Sequence, residues 1–163
     1  MPRPKSFLLL VLLLAACAGP SQMFEARNVP VDAAAMRAMV TEYRAASGLG
    51  PVAVSPVLNE AAERQALAMA RENDISHDVA GRLPKRVAAL GYDWGAMAEN
   101  LGGGYRSAAA AFEGWVASPE HEKNLRNPYV TEIGIGAAVA PAARSGAFYA
   151  LILGVERSDM ARR

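Results

Sequence analysis

Three side chains in this sequence have the chemistry for a polar or metal-binding centre: His77, Glu99 and His121. They are the chain's two histidines and a carboxylate midway between them, each step being 22 residues. Glu99 lies in Met97-Ala98-Glu99-Asn100-Leu101, whose apolar neighbours draw it toward the interior, and a buried carboxylate needs a partner. Imidazoles suit that role, either as hydrogen-bond donors or as co-ligands of a metal. No helix or strand face joins residues so far apart, so only tertiary folding can gather them. The flanks of the three differ, and the even spacing is no repeat.

The elements that must position them are legible from caps and periodicity. Asp32 is placed to cap a first helix carrying Met36, Met39, Val40 and Tyr43, stopped at Gly48. Leu49 to Val54 holds a short strand. Ser55-Pro56 opens a second helix, with Leu58, Ala62, Ala66 and Met69 along one stripe, running to about Asn73-Asp74 and leaving His77 just beyond its end. Pro84 to Leu90 makes a third helix, stopped by Gly91. Tyr92 and Trp94 fall in a loop before Glu99 and are expected at a cleft rim, with Asn100 and Ser118 beside them. Gly102-Gly103-Gly104 is expected to break any regular element, and without a phosphate-loop context or a following lysine it is no nucleotide site. Ser107 caps a fourth helix to Val116, with Phe112 and Trp115 packed in the core. Ser118-Pro119 starts a short turn of helix bearing Glu120, His121 and Asn124. From Ile133 the pattern alternates, and Phe148 to Val155 is a continuous apolar run, so a hairpin ends the fold. Helices followed by a hairpin imply α+β, with helices covering a small antiparallel sheet.

The chain has 163 residues, of which 52% are hydrophobic and 20% charged, enough for one packed domain and against wholesale disorder. A formal charge of +1 with no basic block excludes a phosphate-tracking nucleic-acid surface. One cysteine excludes an internal disulfide framework and a cysteine-rich zinc site. Arg3 and Lys5 precede the apolar run Phe7 to Ala16, too short to span a bilayer and suited to a signal peptide. Leu14-Ala15-Ala16-Cys17 resembles a bacterial lipobox, in which the chain is cut before a cysteine that then receives lipid. The alternative is a secretory signal cut after a small residue, with Cys17 a bystander. The expected organisation is a signal peptide over 1–16, lipidated Cys17 and tether over 17–31, one domain over 32–156 and a surface tail over 157–163. Acyl chains on Cys17 would hold the protein to a membrane in the cell envelope. Ala18 and Gly19 lack an acidic inner-membrane retention cue, which points to the outer membrane where the cell has one.

At this point the residues carry a resemblance. Val40-Thr-Glu-Tyr-Arg44, Gly48-Leu-Gly-Pro51, Ser76-His77, Arg86 to Gly91-Tyr92, Ala98-Glu99-Asn100-Leu101, Trp115-Val-Ala-Ser-Pro-Glu-His121-Glu-Lys-Asn124-Leu125 and Tyr129 to Gly136 follow one another in order. Together they are similar to bacterial CAP domains, the cysteine-rich secretory, antigen 5 and pathogenesis-related superfamily, also called SCP-like. The match runs over about Met36 to Gly154. It implies an α-β-α sandwich and a cleft lined by His77, Glu99 and His121, often with a divalent metal, zinc above all, and in some members a lipid. The sequence departs from the pattern: a second cavity acid is Ser118 here, Ala98 and Glu120 replace glycines, and Leu151 stands where a glutamine is frequent. Glu120 and Glu122 are poor substitutes for that acid, because helical spacing points both away from His121. Two imidazoles and one carboxylate would leave a fourth position open on a tetrahedral metal.

Three readings stand for that trio: a cleft binding a divalent cation or a small apolar, lipid or peptidic ligand; a hydrolase of envelope peptides using Glu99, His77 or His121 as proton acceptor; or a purely structural polar cluster on a module that recognises partners by its surface. No nucleophile is assigned, because neither Ser76 nor Ser118 sits in a strand-turn-helix elbow.

Overall fold

A computed structural model describes residues 23–162. The signal segment, the lipobox and Cys17 lie outside the described residues. The elements run β1 (Arg27–Val29), α1 (Ala33–Ala45), β2 (Ala53–Val54), α2 (Pro56–Glu72), α3 (Leu83–Ala89), β3 (Trp94–Gly103), α4 (Ala108–Val116), α5 (Pro119–Leu125), β4 (Glu132–Val139), β5 (Ala147–Glu156) and α6 (Arg157–Met160). The caps are as the sequence predicts: Asp32, Ser55 and Ser107 accept from the amides of Ala35, Leu58 and Ala110, and Pro56 opens α2. Gly48, at φ +71°, follows the end of α1.

The sheet is ordered β1-β4-β5-β3, antiparallel throughout that path, with β2 paired parallel to the start of β4. The β4–β5 hairpin is its centre and puts alternate residues on opposite faces. Ile133, Ile135, Leu151 and Leu153 pack with Met36, Val40, Trp115 and Leu125 from α1, α4 and α5. On the other face, Ala138, Phe148, Ala150 and Ile152 meet Leu58, Ala62, Ala66 and Met69 of α2 and Val87 of α3. The result is an α-β-α sandwich with a mixed, mainly antiparallel sheet of five strands.

Helix α2 lies against bare backbone. A Cβ on Gly134 would collide with the Leu58 carbonyl carbon, and one on Gly136 with the Glu63 amide nitrogen. Asn59, near the start of α2, accepts the Ile135 amide at 2.9 Å in the gap of β4 between its β2 and β1 partners. At the far end of α1, Arg44 is buried and donates to the carbonyls of Gly50, Leu125, Asn127 and Val130, tying α1 to the segment after α5.

Two expectations change. Residues 27–29, expected within the tether, form β1 against Val139 to Ala137 of β4. The loop before Glu99 and the break at Gly102 are instead one ten-residue strand, β3, paired with β5 from Trp94 to Gly103. Glycine serves close approach there: a Cβ on Gly102 would meet the Tyr105 ring at 2.7 Å, and one on Gly103 would meet Ile75 Cδ1 at 2.6 Å. β3 is an edge strand, and its free edge is covered. Trp115 Nε1 donates to the Leu101 carbonyl at 3.0 Å, and Asn124 Nδ2 to the Glu99 carbonyl at 3.3 Å. The tail expected at the surface begins with the exposed short helix α6, which lays Met160 over Gly95.

Candidate functional site

The site is built around β3. Alternation sends Glu99 and Asn100 to opposite faces, Glu99 beside Ile152 on the α2–α3 side and Asn100 beside Leu151 on the α1–α4–α5 side. Each is then met by one histidine segment.

On the first face, α2 ends at Asn73 in a left-handed conformation, φ 49°. The chain that follows is held by Gln65, whose Nε2 donates to the Ser76 carbonyl at 2.7 Å. This puts His77 Nδ1 2.8 Å from Glu99 Oε2. The other carboxylate oxygen, Oε1, accepts from Arg86 Nη2 of α3 at 2.7 Å, while Arg86 Nε donates to the Gly81 carbonyl. Glu99 and Arg86 are withdrawn from solvent, with side chains 2% and 7% exposed, but the His77 ring is 61% exposed. The carboxylate beside it raises the His77 pKa above the ordinary imidazole value, against the opposing effects of partial burial and the Arg86 charge.

On the second face, Asn100 is fully buried and donates from Nδ2 to the His121 carbonyl at 3.0 Å, while its Oδ1 accepts from Asn124 at 2.8 Å. The His121 segment of α5 is thereby fixed to β3. His121 Nδ1 lies 3.0 Å from Ser118 Oγ. Burial, and then the charge of His77, lower the His121 pKa below the ordinary value. The two imidazoles are thus close enough to feel one another, and their affinities for a proton are pushed apart.

Folding therefore joins His77 directly to Glu99 and brings His121 near, with Arg86 as a partner that composition and spacing did not reveal. Arg86 was visible only inside the Arg86 to Gly91-Tyr92 part of the resemblance. Of the expected rim residues, Tyr92 is a core side chain: it is 2% exposed, its hydroxyl donates to Glu132 Oε2 at 2.6 Å, and burial raises its pKa. Trp94 starts β3, about 16 Å along an extended chain from Glu99, with the Arg157 guanidinium over its ring. Asn100 fastens rather than lines, and Ser118 faces His121. Glu122 bonds the Tyr43 hydroxyl at 2.7 Å, toward α1, and does not join the histidines.

The donor set does not fit a metal in this arrangement. Both Glu99 oxygens are engaged, one by a buried guanidinium that supplies positive charge where a dication would. Among the described residues no three His, Cys, Asp or Glu groups are gathered around a common point. Arg86 does the neutralising that an ion would otherwise do.

Comparison with known proteins agrees with the fold. The chain is 26% identical over 95 residues to an uncharacterized protein, YkwD, of Bacillus subtilis (strain 168), covering 57% of this chain and 37% of that one. It therefore spans well under half the length of that relative. Among solved structures, an outer surface protein from Borrelia burgdorferi superposes with a TM-score of 0.70 at 17% identity, over 82% of this chain and 100% of the other. An extracellular protein containing an SCP domain from Bacillus anthracis str. Ames gives 0.67 at 23% identity, over 76% and 40%. Residues 37–153 match the cysteine-rich secretory protein family, CAP, across both helical layers and every strand from β2 to β5, and the chain belongs to that family.

Proposed function

We propose that this protein is an exported CAP domain, tethered to a membrane through lipid on Cys17, that binds a polar, peptide-like ligand beside β3 through His77 and His121 without turning it over. The carrying observation is the exposed His77 ring held against a buried, doubly paired Glu99. Glu99 orients the ring and favours its protonated form, which presents a cationic donor, while neutral His121 presents an acceptor. A peptide-like ligand carries both acceptor and donor groups, one kind for each imidazole. Glu99 itself, with one oxygen ion-paired to Arg86 and the other bonded to His77, is poorly placed to accept a proton in hydrolysis.

Export and tethering rest on the sequence before residue 18. Among the described residues no helix is long and apolar enough to cross a membrane. Similar proteins described as outer-surface and extracellular support the same placement.

The test is capture of a random peptide library by the full chain in detergent micelles. Enrichment that falls at least about tenfold in His77→Ala plus His121→Ala, with the fold intact by circular dichroism, supports the reading. Equal enrichment by the double variant overturns it, and cleavage of the peptides by the wild type moves the assignment to a hydrolase.

A further inference from the structure

The chain enters the described fold at one end of the sandwich. The Phe24 amide donates to the carbonyl of Arg71, in the last turn of α2, at 2.7 Å, and Arg27 then pairs with Val139, the last residue of β4. The β4–β5 turn lies at this same end, where Pro141 and Ala142 line a cavity with Glu25, Ala26 and Arg27. So does Ile75: a Cβ on Gly103 would meet Ile75 Cδ1 at 2.6 Å and Ser145 Cβ at 3.1 Å. Of the four large hydrophobic side chains exposed among the described residues, Met23 at 60% and Ile75 at 46% belong to this end. Helix α6 stands at the other end, beyond the ten residues of β5, which span roughly 30 Å. Cys17 is seven residues ahead of Phe24, a reach of about 25 Å at full extension.

We propose that this end of the sandwich rests on the bilayer that holds the Cys17 lipid, with Met23 and Ile75 in its headgroup region; this rests on the proposed lipid on Cys17. A lipid there keeps Phe24 within the reach of the tether, which is too short to turn the α6 end to the membrane instead. Apolar side chains gain by entering the interface, and two stand free at the end that the tether brings down. The exposed charges at this end, Arg71 and Arg144 against Glu25, Glu72 and Asp74, give no net attraction to anionic lipid, so the contact is apolar and a zwitterionic bilayer suffices. His77 meets Glu99 four residues along β3 from Gly103, about 14 Å from this end, so a ligand of that site is taken up close to the lipid surface.

The test uses the acylated full chain, purified from membranes and reconstituted in phosphatidylcholine liposomes. A nitroxide is attached at Ile75→Cys, at Met23→Cys or, on exposed α6, at Ser158→Cys. Cys17, blocked by its lipid, takes no label. The labels at residues 23 and 75 should be relaxed severalfold less by an aqueous nickel chelate, and more by oxygen, than the label at residue 158. Nickel relaxation at residue 23 or 75 equal to that at residue 158, in chain that floats with the liposomes, overturns the membrane-facing end and leaves the anchor standing. Chain that does not float overturns both.

Discussion

Arg86 Nη2 and Glu99 Oε1 form a 2.7 Å ion pair with both side chains almost out of water. A charge in that position is stable only while its counterpart is present. Arg86→Met and Glu99→Gln should each cost about 3 kcal/mol in urea unfolding, because each strands the other group. The double variant should cost less than the two combined, by a coupling of about 1–3 kcal/mol. Single losses below about 1 kcal/mol would mean that the pair is solvated in solution.

The two histidines should titrate on opposite sides of an ordinary imidazole. His77, raised by Glu99, gives stability that is complete below the unfolded pKa of about 6.5 and fades as pH rises through its folded value. His121, lowered by burial and by His77, gives stability that is present above about pH 6.5 and fades as pH falls through its folded value. Imidazole nitrogen shifts followed by NMR check both. Glu99→Gln should lower the His77 midpoint, and His77→Ala should raise that of His121.

Dialysis against zinc followed by elemental analysis should leave well under one equivalent on the wild-type chain. One equivalent retained by the wild type and lost in His77→Ala plus His121→Ala would show that Glu99 leaves Arg86 to bind an ion.

Gly134→Ala and Gly136→Ala should each destabilise by about 3 kcal/mol or prevent folding, because the added methyl meets α2 backbone that has no rotamer to yield. Gly50→Ala, with nothing within 4 Å, is the control and should stay within about 0.5 kcal/mol. Urea midpoints compare the three.

If Cys17 carries the anchor, Cys17→Ala should move the protein from the membrane pellet to the soluble fraction after cell lysis and ultracentrifugation. Unchanged sedimentation would remove the lipid tether from the proposal.

Helix starts were legible because a cap and a proline act within one turn: Ser55-Pro56 reads the same in one dimension as in three. The β4–β5 hairpin was legible from its alternation. β3 was not, because its glycines answer to Tyr105, Ile75 and Ser145, which reach it only after folding. β1 is three residues whose sole signal is pairing with β4. The nearness of His77 to Glu99 followed from the demand of a carboxylate among apolar neighbours for a partner. The same demand admitted Arg86, but nothing local marks one arginine among the chain's many cations as the one that meets Glu99. Tyr92 and Trp94 were misplaced with β3: Trp94 begins that strand, at its far end from Glu99, and Tyr92, just before it, turns into the core. The four carbonyls gathered by Arg44 belong to segments that meet only in the finished fold.

The glycine track under α2 also has a dimensional effect. Because helix and strand touch main chain to main chain, their separation is set by atomic radii rather than by side-chain adjustment, and the helix has no cushion on which to roll or slide. The segment bearing His77 leaves the end of that helix, so its position over the border strand is gauged from the middle of the sheet, like a lever arm clamped at its root.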